Sequence, residues 1–280
     1  MYSSLAAVLL CILAFIVFPH PSSTKLVMFD VGQGDSIYLT SEGKNFLIDT
    51  GNQDTKLKNN LAKEGINHLD GVLITHPDDD HCGSLDVIEQ LIDVDNIYVA
   101  KDLISCRDKN CEKLKNEILN KVDTKHLVAL SVGDKISFGE IELDVIWPDK
   151  YKDSGGNADS LTVIANIDIG KDGQIESRAL LCGDAEKNEI SEMLKKNRLP
   201  AIDIYKCGHH GSKNALEEDT AKKLSPSITL VSVGEKNRYG HPSQQTLNFL
   251  QNSGSKIYRT DQSGTITCSF SSFVNISTEK

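Results

Sequence analysis

Thr75-His76-Pro77-Asp78-Asp79-Asp80-His81 follows directly on Gly71 to Ile74, a run without a polar side chain. An apolar run of that length, bounded by polar residues, reads as a strand buried on both faces. With Pro77 skipped, five ionisable groups stand in the six residues that follow it. A lone Asp or His in a loop is usually solvated or caps a helix. Five together, at the mouth of a buried strand, have no packing rationale and point to a metal site.

Working outward, the same arrangement recurs. Lys25 to Phe29 and Ser36 to Thr40 read as strands joined by the turn Val31-Gly32-Gln33-Gly34, and Asn45 to Ile48 ends on Asp49-Thr50-Gly51. Leu57 to Glu64 reads as a helix closed by Gly65, and Ser84 starts another with apolar positions at Leu85, Ile88, Leu91 and Ile92. Strands are expected at about 126–130, 135–138, 140–147, 160–169, 178–182 and 202–206, with a Gly-rich loop at 152–158 and a helix at about 186–197. The strand ending at 182 leads to Cys182-Gly183-Asp184, and that ending at 206 leads to Cys207-Gly208-His209-His210-Gly211-Ser212. Loops past the C-terminal ends of strands converge on one edge of a sheet, where such folds place ligands. Two strand-rich halves, each closed by helices, predict a two-sheet sandwich with helices outside, of the α/β (α+β) class. Three imidazoles and three carboxylates from these loops suffice for two divalent cations sharing a bridging group. For Asp184 alone, just before Ala185-Glu186, an ordinary helix cap is the competing reading.

The bulk composition agrees with an enzyme. Of 280 residues, 39% are hydrophobic and 25% charged, with a formal net charge of −10. That balance argues against a protein that coats nucleic acid over a broad basic face. It does not exclude local binding, because a bound dication reverses the sign of an acidic pocket. Lys206, Lys213, Lys236, Arg238 and Arg259 are expected near the site edge. Leu5 to Phe18 is a run of fourteen apolar residues, followed by Pro19-His20-Pro21. It is short for a full span of about twenty residues. A membrane anchor or an export signal is the expectation for 1–24, as an N-terminal apolar helix with a proline hinge. One catalytic domain over 25–280 would then lie outside the cytoplasm. The seven cysteines are irregularly spaced and make no dense disulfide framework. Cys106 and Cys111 bracket a polar loop and could close a small disulfide in an oxidising compartment.

The order Asp30-Val31-Gly32-Gln33-Gly34-Asp35, Leu47-Ile48-Asp49-Thr50-Gly51, the His76-to-Gly83 stretch, Cys182-Gly183-Asp184, Gly208-His209-His210-Gly211-Ser212 and Tyr239-Gly240-His241-Pro242 is specific as a set. It resembles the metallo-β-lactamase superfamily, and within it the extracellular hydrolase domain of ComEC-type competence proteins of bacterial DNA uptake. The resemblance covers about residues 25–270. It implies an αββα fold and, for this branch, hydrolysis of phosphodiester bonds in the DNA strand that is not taken up, so that single-stranded DNA is the expected substrate. Carried across, His76 and Asp78 would hold a first metal, and Asp80 and His81 a second. Asp184 would bridge them and His209 would complete the second site, with His210 open as the alternative ligand. Asp49 would support the metal loop from behind.

Asp78 stands where many members carry a histidine, and the 152–160 loop supplies none. The first site should therefore be rich in oxygen, which favours manganese over zinc, with either ion open. Asp80 and His241 are expected to carry catalysis, His241 by protonating the leaving oxygen. A turn with a helix-starting proline is the plainer reading of Tyr239 to Pro242. Ser212, opening a helix at about 214–223, would meet a phosphate, and Tyr239 and Gln33 would line the substrate. The competing functions are a small ester, lactone or thioester substrate on the same metals, and a binding module without catalysis. ComEC-type proteins carry a multi-span channel ahead of this domain, whereas this chain has room for one span at most. A separate DNA-channel protein is accordingly an expected partner.

Overall fold

In this computed structural model, residues 24–52, 55–121 and 126–280 are described. The apolar helix, proline hinge and membrane or export role expected for 1–24 lie outside them, apart from Thr24. Among the described residues no helix is long and apolar enough to cross a membrane.

Two sheets face each other. The first, eight-stranded among the described residues, runs Val274–Thr278, Ile266–Phe270, Lys25–Met28, Ile37–Ser41, Lys44–Ile48, Gly71–Leu73, Ile97–Ala100, Leu127–Leu130. The second, seven-stranded, runs Lys256–Arg259, Ile228–Val231, Ile204–Lys206, Ser177–Leu181, Thr162–Ile167, Ile141–Trp147, Lys135–Phe138. Side chains alternate across each strand, and here both faces are covered. Leu26 and Phe46 point into the space between the sheets, where they join Leu143, Val163, Leu181 and Leu230. Their neighbours Val27 and Leu47 point outward, under Leu57, Leu85, Ile88 and Leu114 of the helices Thr55–Lys63, Leu85–Leu91 and Lys109–Lys121. On the far side Leu180 and Tyr205 meet Ile190, Leu224 and Leu250 from three further helices. Four layers result, helix, sheet, sheet and helix.

The halves are not separate in the chain. Lys25–Met28 pairs antiparallel with both Ile37–Ser41 and Ile266–Phe270, so the C-terminal hairpin completes the first sheet. The segment between Ile92 and Leu127 contains the strand Ile97–Ala100 and the helices Lys101–Ser105 and Lys109–Lys121, elements beyond those read from the sequence; Cys111, Leu114 and Ile118 form the buried stripe of the longer helix. The helix expected at 214–223 spans Glu218–Leu224. Its first turn carries Glu218 and Asp219, the acidic pair that complements a helix start. No helix N-terminus therefore lies at Ser212.

Four strands that end in parallel register set the site: Lys44–Ile48 beside Gly71–Leu73, and Ser177–Leu181 beside Ile204–Lys206. Ile228–Val231 continues the second set. The loops past their C-terminal ends carry Asp49, His76 to His81, Asp184, His209 with His210, and Ser232.

Candidate metal centre

Each imidazole of the buried group is held by Nδ1 and presents Nε2 to carboxylates. His81 Nδ1 lies 2.7 Å from Asp49 Oδ2, and its Nε2 lies 3.2 Å from Asp184 Oδ1. His210 Nδ1 donates to the Ser232 carbonyl at 2.9 Å, leaving Nε2 at 3.2 Å from Asp80 Oδ2 and 3.6 Å from Asp184 Oδ2. His76 Nδ1 is 3.1 Å from Thr75 Oγ1 and 3.3 Å from Ser160 Oγ, with Nε2 3.6 Å from Asp78 Oδ2. A partner on one ring nitrogen fixes which nitrogen remains free to bind a metal.

Asp80, His81, Asp184 and His210 offer four donor atoms all within 4.8 Å of one another. Of the two adjacent histidines, His210 is the one in this group. His209 is part-exposed, its Nδ1 2.7 Å from Glu186 Oε1 and its Nε2 3.9 Å from Asp184 Oδ2. Both residues adopt left-handed backbone angles (φ 42° and 51°), which aim adjacent side chains to different sides. Asp184 does not cap the following helix. Glu186 holds that position, its N–H donating to Glu189 Oε2 at 3.2 Å. His76 and Asp78 form an adjacent pair, and Asn110 Nδ2 donates to Asp78 Oδ1 at 3.2 Å. Asn110 stands beside the disulfide that joins Cys106 to Cys111, and Lys113 of the same helix pairs with Asp79.

Asp49 supports the metal loop from behind at two points. Its Oδ1 accepts the Thr75 N–H at 2.8 Å and its Oδ2 the Thr75 hydroxyl at 2.7 Å, besides His81. Asp35, which closes the Asp30-to-Asp35 motif and which the sequence suggests as a residue ordering the rim of the site, is a further support. It is 1% exposed, pairs with Lys206, and lies 3.4 Å from His210 Nδ1. Gly34, just before it, has φ 133°, and a Cβ there would sit 2.3 Å from the Asp80 carbonyl oxygen. That oxygen accepts the Asp35 N–H at 3.0 Å. The turn thus fits against the metal loop only as glycine.

Lys206 is fully buried, donating to the Gly183 carbonyl at 2.6 Å and lying 3.6 Å from Asp184. It cannot meet nucleic acid at the site edge, contrary to the sequence expectation. Arg259 is held by Asp261 at 2.6 Å. Lys213, Lys236 and Arg238 are exposed and have no ion pair among the described residues. Ser212 is buried, its Oγ accepting the Asn214 N–H at 3.1 Å and donating to Glu186 Oε1 at 3.3 Å. Gln33 Oε1 accepts the Gly234 N–H at 3.4 Å, tying the turn before Asp35 to the loop after Ile228–Val231. His241 is half-buried with its ring edge-on to His209, centroids 5.4 Å apart, and Tyr239 stacks on His241 at 5.8 Å.

The electrostatics of the group favour a bound cation. Burial disfavours an imidazolium at His210, yet the Asp184 and Asp35 carboxylates push it up to about 10. Burial opposes charge at His81 too, and Asp184 and Asp49 nevertheless raise it well above the ordinary histidine value. Burial would raise the Asp80 carboxyl, but the His210 hydrogen bond and the charges of His81 and His210 hold it down. Burial and the imidazoles of His209 and His210 lower His241. Carboxylates that force buried imidazoles to carry protons mark a place for a cation. His76 Nε2 is moreover buried without a hydrogen-bond partner, and His81 Nε2 and Asp184 Oδ1 face each other at 3.2 Å without forming one. Such orphans are costly unless something satisfies them. The donor set fits divalent metal on both counts.

Fold and site together define the class: the chain has the metallo-β-lactamase fold. The profile of the Metallo-beta-lactamase superfamily matches residues 29–158. The diiron β-hydroxylase CmlA of Streptomyces venezuelae matches with a TM-score of 0.58 at 15% identity, over 90% of this chain and 55% of that one. That likeness speaks for the fold alone, since a fold does not set a reaction. Among curated relatives, the chain is 29% identical to ComE operon protein 3 of Bacillus subtilis (strain 168), over 91% of this chain and 34% of that protein. It is 25% identical to Recombination protein 2 of Haemophilus influenzae, over 95% of this chain and 32% of that protein. The chain spans about a third of the length of these relatives. The match to the superfamily profile and the donor set support a metal-dependent hydrolase in general.

Proposed function

We propose that this protein is a metal-dependent phosphodiesterase that hydrolyses DNA, in single-stranded form, during competence-type DNA uptake. The observation that carries the reading is the set of three imidazoles, each held by Nδ1 and aiming Nε2 at Asp78, Asp80 or Asp184. The likeness to relatives named ComE operon protein 3 and Recombination protein 2 supports a role with DNA. Residues 1–24 would tether the domain to the membrane or export it, with the catalytic domain at the cell surface. A separate DNA-channel protein would be its partner.

His76 and Asp78 would hold one divalent ion, and Asp80, His81 and His210 a second, with Asp184 between them. The oxygen-rich first site favours manganese over zinc. Bound there, the ions would activate water and stabilise charge on the leaving oxygen. Asp49 and the Ser232 carbonyl hold His81 and His210 in the ligating tautomer. Glu186 orients His209 at the rim. His241, beside His209, would carry the proton to the leaving oxygen. A bound phosphodiester's negative charge offsets the burial that lowers its basicity.

The 280-residue chain with Mn²⁺ should degrade single-stranded DNA, and a chelator should stop it. Asp80→Ala and Asp184→Ala should each abolish the activity. Turnover of a lactone or thioester with no effect on DNA would replace this reading with a small-ester hydrolase.

A further inference from the structure

The loop from Gly234 to His241 is built rather than slack. Asn237 Nδ2 donates to the Gly234 carbonyl at 3.0 Å and to the His241 carbonyl at 2.8 Å. Its Oδ1 accepts the Tyr239 N–H at 3.2 Å and the His241 N–H at 3.0 Å. One side chain thus closes the loop with four hydrogen bonds. The loop then presents Tyr239 at 69% exposure, the largest exposed fraction among the exposed large hydrophobic residues described. Leu91, Ile104, Leu119 and Phe273 are the others, and none of them stacks on a site histidine. Tyr239 lies over His241 with an interplanar angle of 21°, and His241 meets His209 edge-on. A row of rings therefore runs from solvent to within 3.9 Å of Asp184. Lys236 and Arg238, on the same loop, are exposed and carry no ion pair among the described residues.

An isolated exposed aromatic needs no explanation. This one is fixed in place, flanked by two cations that form no ion pair among the described residues, and aligned with the metal donors. We propose that Tyr239 is a stacking platform for an unpaired nucleobase beside the scissile phosphate, with Lys236 and Arg238 taking the neighbouring phosphates. The proposal rests on the phosphodiesterase reading and adds the source of strand preference. A ring stacked in a duplex is not free to lie on Tyr239, whereas every unpaired base has a face to offer. The platform accepts any base, because stacking reads no hydrogen-bond pattern.

The test uses the 280-residue chain with Mn²⁺ and a fluorescent single-stranded oligonucleotide, intact or with abasic sugars throughout. Tyr239→Ala should raise KM for the intact strand by about tenfold, with kcat little changed, and Tyr239→Trp should keep KM near its original value. On the abasic strand the unaltered chain should already show the raised KM, and Tyr239→Ala should add nothing. Adding salt should weaken binding of both strands, less steeply in a Lys236→Ala/Arg238→Ala variant. An unchanged KM for Tyr239→Ala on intact DNA would overturn the platform while leaving the nuclease reading in place. A chain that cleaves no DNA at all would overturn both. Because Tyr239 is exposed, its replacement leaves the core untouched, and circular dichroism of the variant should match the original.

Discussion

Asp49 Oδ2 lies 2.7 Å from His81 Nδ1, at the floor of the donor group and out of reach of any substrate. The contact makes Nδ1 the proton-bearing nitrogen and leaves Nε2 to a metal. Asp49→Asn keeps the shape but can present an amide N–H to the same nitrogen, favouring the wrong tautomer. Metal affinity should fall by roughly 10- to 100-fold, as read by titration with Mn²⁺ under calorimetry. Unchanged affinity would mean that other contacts set the ring.

The two adjacent histidines separate by metal content. His210→Ala removes a donor within 4.8 Å of three others, so the purified variant should carry less metal per chain. His209→Ala should keep its full complement, losing instead the contact with Glu186. Elemental analysis of the two variants side by side decides between them.

Lys206 is the counter-charge of the group. Lys206→Met leaves the Asp35 carboxylate buried with its main partner gone, a change that costs about 3–5 kcal/mol in comparable cases. Asp35→Asn added to it should recover part of that loss, measured by urea unfolding of the metal-free chain. If the single variant unfolds at the same midpoint as the original, Lys206 is not holding Asp35.

Protons compete with metal here. The carboxylates around His81 and His210 favour the imidazolium forms, His210 up to about 10, and a ligating nitrogen must give up its proton. Raised basicity therefore means that metal displaces protons at neutral pH. Affinity should increase between about pH 6 and pH 8, and loading should release protons into a weak buffer. Affinity independent of pH, with no release, would argue that these rings do not ligate.

Much of the site was legible because its residues cluster in short loops after apolar strands. The His76-to-His81 run, Asp184 and the histidine pair could be placed together from strand ends alone. The choice between His209 and His210 could not, because it depends on two successive left-handed residues that no helical or strand period reveals. Lys206 looked like a cation for DNA, since nothing local shows that Asp35, far back in the chain, folds over it. The helix Lys109–Lys121, which brings Asn110 to Asp78 and Lys113 to Asp79, was also missed. Its partners in the metal loop lie outside the helix's own sequence. The sandwich itself followed from continuous apolar strands, but the return of the last hairpin to the first sheet was a pairing that periodicity does not encode.

That return has a consequence for how the protein is made. Lys25–Met28 finds Ile37–Ser41 almost as soon as both have been synthesised, yet its other edge waits for Ile266–Phe270. During synthesis the first strand therefore stands with an open backbone edge until Ile266–Phe270 has emerged, the kind of long-range pairing that slows folding. Chains stopped short of the last hairpin would keep that edge open and invite aggregation.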